Sequence, residues 1–239
     1  LKIFSVPPAC IDSDVQAYIE QHTRGQRECS IWRDLHRGRL TSSIFWFNFK
    51  GRGPTRKFDK ASHGRYTKLP PQVQWGIDHE SQARSDYLML KNQFGTVRVE
   101  QTGITLCSTF AYLGATSDGR VYKEDGSVGI LEIKCPYSFK GKIIKDMEIN
   151  DIMMIADASF CLVNKSEGPS LKHNHPYYAQ VQGEMSIMGL PWCDFVLWTG
   201  APKNNIFVER ICFDKEFVEH AFQVVIIFLQ SYLSQIYAI

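Results

Sequence analysis

Two stretches decide the fold: residues 114–120, Gly-Ala-Thr-Ser-Asp-Gly-Arg, and residues 129–136, Gly-Ile-Leu-Glu-Ile-Lys-Cys-Pro. The second stretch is short, apolar and bounded by Gly and Pro, a pattern typical of a β-strand. Because alternate side chains of a strand share a face, Glu132 and Lys134 point to one side while the apolar residues between and beside them face the core. The sequence therefore predicts a strand that presents two charged groups.

A hairpin around this strand would bring a second carboxylate to the same place. The turn residues Asp125-Gly126 can return the chain and set Asp118 beside Glu132. Two close carboxylates repel unless a cation separates them, and oxygen ligands favour Mg²⁺ or Mn²⁺. Lys134 would then hold or deprotonate a water for attack on phosphorus. On these residues alone, a hairpin with an ordinary Glu/Lys pair on its solvent face explains the pattern equally well.

The elements around the hairpin predict an α/β or α+β domain with a central mixed sheet flanked by helices. Helices are expected near residues 13–19, 44–49, 71–91, 143–157 and 176–188, and from Asp214 onward. Strands are expected at 97–99, 104–110, 120–122, 129–135, 159–163, 194–198 and 206–213. The length of 239 residues suits one domain.

Charge is distributed unevenly along this chain. Residues 24–68 carry twelve Lys or Arg against three acidic residues, a local balance of +9, while the rest of the chain sums to −7. Aromatic residues interleave the basic ones, which favours a polyanion partner such as nucleic acid. A solvated basic loop beside a core helix is the alternative. The natural division is a basic segment at 24–68, a catalytic core at 71–190, and C-terminal strands and helix at 191–239.

Cysteine usage and hydropathy exclude other classes of protein. The seven cysteines include no Cys-x-x-Cys pair, which argues against a disulfide framework and favours a reducing, intracellular setting. His173-Asn174-His175 with Cys161 is a weak metal candidate, since its spacing matches no standard zinc site. No apolar run approaches the roughly 20 residues that span a bilayer, so no membrane association is expected.

These motifs resemble those of a known family. Asp118 with Glu132-Ile133-Lys134 resembles the PD-(D/E)XK nuclease signature. The residues around these positions, 114–119 and 131–136, resemble those of the YqaJ and phage lambda exonuclease branch. Three further stretches resemble that branch in the same order: the Trp-Gly-x-x-x-Glu-x-x-Ala helix at 75–83, the Tyr-Ala-Gln-Val-Gln helix at 178–182, and the phosphate-receiving N-terminal stretch at 32–43. Five ordered matches are far more specific than Glu-x-Lys alone.

The resemblance implies a restriction-endonuclease-like core and a role for each matching residue. Asp118, Glu132 and the carbonyl of Ile133 would bind the metal, and Glu80 would complete this shell around a second ion. Lys134 and Gln180 would position the attacking water. The phosphates of a DNA end would be received by the N-terminal stretch: Trp32, His36, Arg37, Arg39, Thr41 and Ser43. His36 stands where the phage enzyme carries its phosphate-binding Arg, and Ser117 replaces a Pro of the signature.

The implied function is a Mg²⁺-dependent deoxyribonuclease that digests duplex DNA with free ends, 5′ to 3′, in recombination or end resection. A ring-shaped homotrimer and a single-strand annealing partner are further implications of the resemblance. The compartment would be the nucleus in a eukaryote and the cytoplasm otherwise. Two alternatives stay open: an endonuclease of the same fold, and a catalytically silent DNA-binding accessory.

Overall fold

The structure is a computed structural model that describes residues 10–37, 39–44, 69–144, 160–203 and 205–237. Most of the basic, aromatic-rich stretch therefore lies outside the described residues, as do all but the first residues of the helices expected at 44–49 and 143–157. The five helices of the described part are α1 (Ser13–His22), α2 (Ser30–His36), α3 (Pro71–Lys91), α4 (Pro176–Met188) and α5 (Lys215–Tyr237). None of the helices described is long and apolar enough to cross a membrane.

Ten strands form three sheets in the described residues. The strands are β1 (Leu40–Thr41), β2 (Val97–Glu100), β3 (Thr105–Leu106), β4 (Leu113–Ala115), β5 (Gly119–Lys123), β6 (Val128–Lys134), β7 (Leu162–Lys165), β8 (Gly168–Leu171), β9 (Trp192–Trp198) and β10 (Ile206–Cys212). The largest sheet has the order β10-β9-β6-β5-β2, in which only β6 and β9 run parallel. The predicted central mixed sheet is confirmed.

The hairpin of β5 and β6 has the turn chemistry that the sequence predicts. Gly126 takes a left-handed backbone conformation, with φ 78°, which a residue without Cβ adopts at no steric cost. The Asp125 carboxylate accepts the backbone N–H of Ser127 and closes the turn. The hairpin register then sets Gly119 opposite Leu131, so Asp118 lies immediately beside the charged half of β6.

Both faces of β6 are buried, which argues against the alternative of an ordinary Glu/Lys pair on a solvent face. Leu131 and Ile133 pack with Ala83 and Tyr87 of α3. On the other face, Ile130 packs with residues of α4 and β9. Parallel pairing with β9 places β6 in the interior of the sheet, and strands covered on both sides are largely apolar. The side chain of Glu132, on the α4 face, is therefore a buried charge rather than a surface one, with 2% exposure.

A small sheet, of order β1-β4-β3, brings the N-terminal segment beside β4, the strand that precedes the hairpin of β5 and β6. Leu40 of β1 pairs in parallel with Leu113 of β4, and both pack against Ile187 of α4. The strand expected at 104–110 is only Thr105–Leu106, because residues 107–112 turn back to form this pairing. Residues 42–44 form a single 3₁₀ turn rather than the start of an α-helix within the described part.

Helix α4 ends where the sequence predicts. Gly189 follows its last residue with φ 65°, the left-handed conformation that commonly terminates helices. The short connection that follows leads into β9, whose Trp192 ring fills the space beside Gly129 of β6. A Cβ at Gly129 would lie 2.2 Å from that ring, so glycine is required there. This close packing keeps α4 and β9 beside the charged half of β6.

Candidate active site

Asp118 is fixed by two backbone contacts to β6. Its own N–H donates to the carbonyl of Leu131 at 3.0 Å, and its Oδ2 accepts the N–H of Ile133 at 2.6 Å. One carboxylate oxygen is thereby bound to the strand that carries Glu132. Burial raises the pKa of Asp118, while the charge of Lys134 and the Ile133 N–H oppose that shift. The position of this carboxylate follows directly from the hairpin register.

Glu132 has one satisfied and one unsatisfied oxygen. Its Oε1 accepts from Lys134 Nζ at 2.5 Å and from Gln180 Nε2 at 2.6 Å. Its Oε2 is buried and has no hydrogen-bond partner among the described residues. Burial, together with the negative charges of Asp118 and Glu184, raises the pKa of Glu132 well above its usual value. Such an atom normally has a partner, so this free oxygen is a candidate ligand for a cation.

Lys134 is held as a cation. Burial alone would lower its pKa, but the charges of Glu132, Tyr177 and Asp118 outweigh that effect and raise it. Nζ donates to Glu132 and, at 3.0 Å, to Gln180 Oε1, and it lies 4.9 Å from the centre of the Tyr177 ring. A protonated amine donates hydrogen bonds and attracts anions, but it cannot accept a proton. As a hydrogen-bond donor, Lys134 fits the predicted role of holding a water or phosphate oxygen, and both of its predicted roles stay predictions.

Gln180 connects this group to a further carboxylate. Its Nε2 donates to Glu132 and also to Glu184 Oε1, at 2.9 Å. The same Glu184 oxygen accepts from Ser42 Oγ at 3.0 Å. Glu184 is completely buried, and burial raises its pKa to about 7. A continuous hydrogen-bonded chain therefore runs from Ser42 through Glu184, Gln180 and Glu132 to Lys134.

Glu80 lies at the edge of this group and pairs with an arginine. Arg84 Nη2 donates to Glu80 Oε1 at 2.8 Å and to the carbonyl of Asp118 at 2.7 Å. Burial and the charge of Asp118 raise the pKa of Glu80 to about 7. Helix α3 thus attaches to the hairpin through Arg84, and Glu80 lies close enough to Asp118 to be affected by its charge.

The residues present fit a hard divalent cation, although they do not enclose one. In the described part of the chain, no three acidic, His or Cys side chains lie close enough to hold an ion unaided. Mg²⁺ does not require such a cage, because it binds through one or two carboxylates, waters and substrate phosphates. The unpartnered Glu132 oxygen and the mutual repulsion of Glu132 and Asp118 are what a cation would relieve.

Two of the predicted DNA-end residues contact each other and the hairpin. Trp32 Nε1 donates to Thr116 Oγ1 at 3.2 Å, two residues before Asp118, and the ring of His36 lies 3.6 Å from the Trp32 ring. Burial lowers the pKa of His36, and the positive charges of Arg39 and Arg27 lower it further. The hydrogen bond to the Trp32 carbonyl acts in the opposite direction but does not outweigh these effects. Nδ1 donates to the Trp32 carbonyl at 2.9 Å, so a neutral His36 keeps Nε2 as an acceptor and offers phosphate neither a donor nor the charge of an arginine.

The other four predicted DNA-end residues differ in what their side chains do. Arg39 donates to the carbonyls of Ala111 and Leu35, at 3.0 and 2.9 Å, and so ties the segment to the fold. Arg37 is half exposed and pairs with Asp34 at 3.0 Å. The hydroxyls of Thr41 and Ser43 lie 3.1 Å apart, with Ser43 exposed. Among them, Arg37 and Ser43 present polar groups to solvent.

Three residues of the site were not predicted from the sequence: Arg84, Glu184 and Ser42. Arg84 follows Glu80 by four residues, and Glu184 follows Gln180 by four. Residues at this spacing are neighbours on a helix face, so each could have been found from the residue already identified. Ser42 carries no such signal, because its contact with Glu184 spans 142 positions.

The alternative metal site has no support in the described residues. The ring of His173 stacks on Tyr178 at 4.2 Å, and His175 accepts the backbone N–H of Tyr177 to cap α4. Cys161 is buried, and no metal-binding group of three or more suitable side chains is present in the part of the chain that is described. The histidine-rich turn thus helps to start a helix, which is a structural role.

Comparison with known proteins gives the family. Residues 31–191 match the YqaJ-like viral recombinase domain. An alkaline nuclease of Orgyia pseudotsugata multicapsid polyhedrosis virus is 23% identical over 218 residues, which cover 83% of this chain and 46% of that protein. This chain therefore belongs to the YqaJ-like viral recombinase domain family, as its motifs indicate, and it spans about half the length of the viral relative.

Solved structures share the fold. The alkaline exonuclease LHK-Exo from Laribacter hongkongensis superposes with a TM-score of 0.62 and 22% identity, over 87% of this chain and 94% of that one. A SOX–DNA complex superposes with a TM-score of 0.63 and 12% identity, over 93% and 71%. SOX of KSHV is also known in a complex with RNA, with a TM-score of 0.61 and 12% identity over 93% and 74%. The fold is that of an exonuclease, and relatives of this fold bind DNA or RNA.

Proposed function

We propose that this chain is a Mg²⁺-dependent deoxyribonuclease that hydrolyses phosphodiester bonds of duplex DNA. The observation that carries the proposal is the group formed where β5, β6 and α4 meet. There, Asp118 is bound to the backbone of the strand that carries Glu132 and Lys134, and Glu132 keeps a free buried oxygen. Family membership and the exonuclease fold support the same conclusion.

Each side chain has a role that follows from its contacts. Asp118, Glu132 and the carbonyl of Ile133 would hold the metal, with Glu80 near a second ion. When bound, Mg²⁺ supplies charge to stabilise the attacked phosphate and favours ionisation of a bound water. Lys134 Nζ donates to Gln180 Oε1 at 3.0 Å, so the two polar groups lie side by side. Together they would orient a water for attack on the scissile phosphate.

The finer proposal is that digestion starts at a free end and runs 5′ to 3′. It rests on the N-terminal segment, whose Trp32 reaches the hairpin two residues before Asp118, so a strand end received there would lie beside the catalytic group. A homotrimer and an annealing partner in recombination belong to the same proposal. LHK-Exo is an alkaline exonuclease, which supports exonuclease action, and the viral relative is an alkaline nuclease, which supports nuclease action.

The test uses linear duplexes labelled at one 5′ end or at one 3′ end, together with a covalently closed circle, each with and without Mg²⁺. We expect early release of the 5′ label, late release of the 3′ label, no cutting of the circle and no reaction in chelator. Cutting of the circle would show that the chain acts as an endonuclease and not as an exonuclease, because a closed circle has no ends. Binding without cleavage of any substrate would make the chain a silent DNA-binding accessory.

A further inference from the structure

Glu184 lies in the middle of the site's hydrogen-bonded chain, and neither the family motifs nor the sequence analysis assigns it a role. It has no exposed surface, and its Oε1 accepts two hydrogen bonds, from Ser42 Oγ at 3.0 Å and Gln180 Nε2 at 2.9 Å. Its Oε2 is buried and has no hydrogen-bond partner within the part of the chain that is described. Burying a carboxylate oxygen without a hydrogen-bond partner lowers the stability of the fold, so a function is expected of the contacts that Glu184 does make.

The purpose follows from the geometry of Gln180. A carboxamide has a donor end and an acceptor end, and rotation by 180° exchanges them. Here the amine end faces two carboxylate oxygens, those of Glu132 and Glu184, and the carbonyl end faces Lys134 Nζ. In the rotated form, the Gln180 carbonyl would face the carboxylate oxygens of Glu132 and Glu184, and its NH₂ group would face the ammonium of Lys134. Each of the two carboxylates therefore disfavours rotation.

We infer that Glu184, held by Ser42, is a positioning residue that fixes the Gln180 carboxamide with its carbonyl toward Lys134. Glu132 alone provides only one acceptor for Gln180, and that oxygen also receives Lys134. Glu184 binds the second N–H of the amide. Ser42 adds the N-terminal segment to this arrangement, because it lies between Thr41 and Ser43, the hydroxyls predicted to receive phosphate.

The inference requires an acceptor at position 184 and not a charge. In Glu184→Gln, the side-chain carbonyl can still accept from both Ser42 and Gln180, whereas Glu184→Met has similar length and no such acceptor. A matched control is available elsewhere in the fold. Glu209 accepts from Ser170 Oγ at 2.7 Å and from the Leu171 N–H at 2.6 Å, and none of its hydrogen bonds involves the proposed catalytic residues.

The experiment measures kcat and KM for Mg²⁺-dependent digestion of an end-labelled duplex, and it rests on the proposed function. We expect Glu184→Met to lower kcat by about tenfold to a hundredfold with little change in KM, as loss of one positioning hydrogen bond predicts. Glu184→Gln should retain most of kcat, Ser42→Ala should lose part of it, and Glu209→Met should keep it. A loss in Glu184→Gln as large as that in Glu184→Met would overturn the inference.

A double-mutant cycle separates positioning from a general structural effect. If Glu184 acts through Gln180, then adding Glu184→Met to Gln180→Ala should cause no further loss of kcat. Equal losses in the presence and absence of Gln180 would show that Glu184 only supports the fold. Thermal unfolding of each variant identifies any that do not fold, and Ser42→Ala then carries the cycle in place of Glu184→Met.

A measurement without metal or cleavage distinguishes failure of this inference from failure of the proposed function. In ¹⁵N-labelled protein, the side-chain amide of Gln180, assigned by its loss in Gln180→Ala, should be protected from hydrogen exchange. Glu184→Met should remove that protection, and Glu209→Met should leave it. If the wild type cuts no DNA yet the amide behaves as expected, the function is wrong and the positioning stands; an unchanged amide in Glu184→Met refutes the positioning.

Discussion

Two buried carboxylates on neighbouring strands, Glu132 of β6 and Asp194 of β9, have opposite surroundings. Asp194 has no exposed surface, and both of its oxygens are satisfied: Arg210 donates to each, at 2.9 and 3.0 Å, and Tyr87 donates to Oδ2 at 2.7 Å. Glu132 lies one register position further on and faces the opposite side of the sheet, with one oxygen free. A saturated carboxylate stabilises the fold, whereas an unsaturated one is available for chemistry.

The comparison extends to the helices that cover each face. On the α3 side, Lys91 adds a second cation at 3.4 Å from Asp194, so that cluster has more positive than negative charge. On the α4 side, Lys134 lies beside three carboxyls, those of Glu132, Glu184 and the nearby Asp118, and the pKa values of all three are raised. A raised carboxyl pKa means that the folded protein disfavours the ionised carboxylate, and such shifts are common at functional sites.

The largest expected effect tests the unsaturated site. Lys134→Ala should reduce Mg²⁺-dependent cleavage by about a thousandfold, because it removes the only cation that contacts Glu132 and Gln180 within the described residues. DNA affinity should change little. The rate of product formation and a binding isotherm measure the two effects. Lys123→Ala, which affects only the ion pair with Asp125 at the hairpin turn, is the matched control; equal loss in both variants would remove Lys134 from the mechanism.

The next effect tests the saturated cluster. Asp194→Ala should lower the free energy of unfolding by about 3–4 kcal/mol, because Arg210, Lys91 and Tyr87 lose their shared buried partner. Urea denaturation followed by circular dichroism measures it. Glu219→Ala, which removes an exposed partner of Lys215 on α5, should leave the midpoint unchanged. A small loss in Asp194→Ala would mean that the cluster is not a stabilising element.

Asp118→Asn should separate stability from function. The Asn carbonyl can still accept a hydrogen bond from the Ile133 N–H. The substitution also removes a buried carboxylate whose ionised form is disfavoured in the fold. The free energy of unfolding should therefore stay the same or rise by up to about 1 kcal/mol, while metal-dependent cleavage is lost. Denaturation and cleavage assays on one preparation suffice. A destabilised variant with intact cleavage would reverse the assignment of Asp118.

The sequence predicted the local elements better than their arrangement. Helix α3 and helix α4 have the predicted bounds, because proline starts each of them and asparagine or glycine follows. The burial of Glu132 was not predictable from alternation, since alternation shows only which side chains share a face and not what covers that face. Only the parallel pairing of β6 with β9 reveals that α4 lies over the charged side.

The candidate site divides in the same way. Asp118, Glu132 and Lys134 could be found because a hairpin is local, and Gln180 and Glu80 could be found only by resemblance to the family. Ser42 could be found by neither route, because its partner is set by tertiary contact across 142 positions. Arg39 shows what local charge leaves out: a basic residue in a basic segment suggests phosphate binding, and its side chain donates to two carbonyls of its own fold, so phosphate binding by Arg39 stays a prediction.

The smallest expected effect distinguishes the two arginines of the N-terminal segment. Among the described residues, Arg37 pairs only with the exposed Asp34, so Arg37→Ala should leave stability unchanged. It should lower the salt dependence of DNA binding by about one unit in the slope of log K against log salt. Arg39→Ala should instead cost about 1–2 kcal/mol of stability, since it leaves the carbonyls of Ala111 and Leu35 without a donor. Binding titrations at several salt concentrations, paired with denaturation, measure both. An equal change of salt slope in the two variants would show that Arg39 leaves its backbone partners to bind phosphate, and the contrast between structural and functional charge would then not hold in this segment.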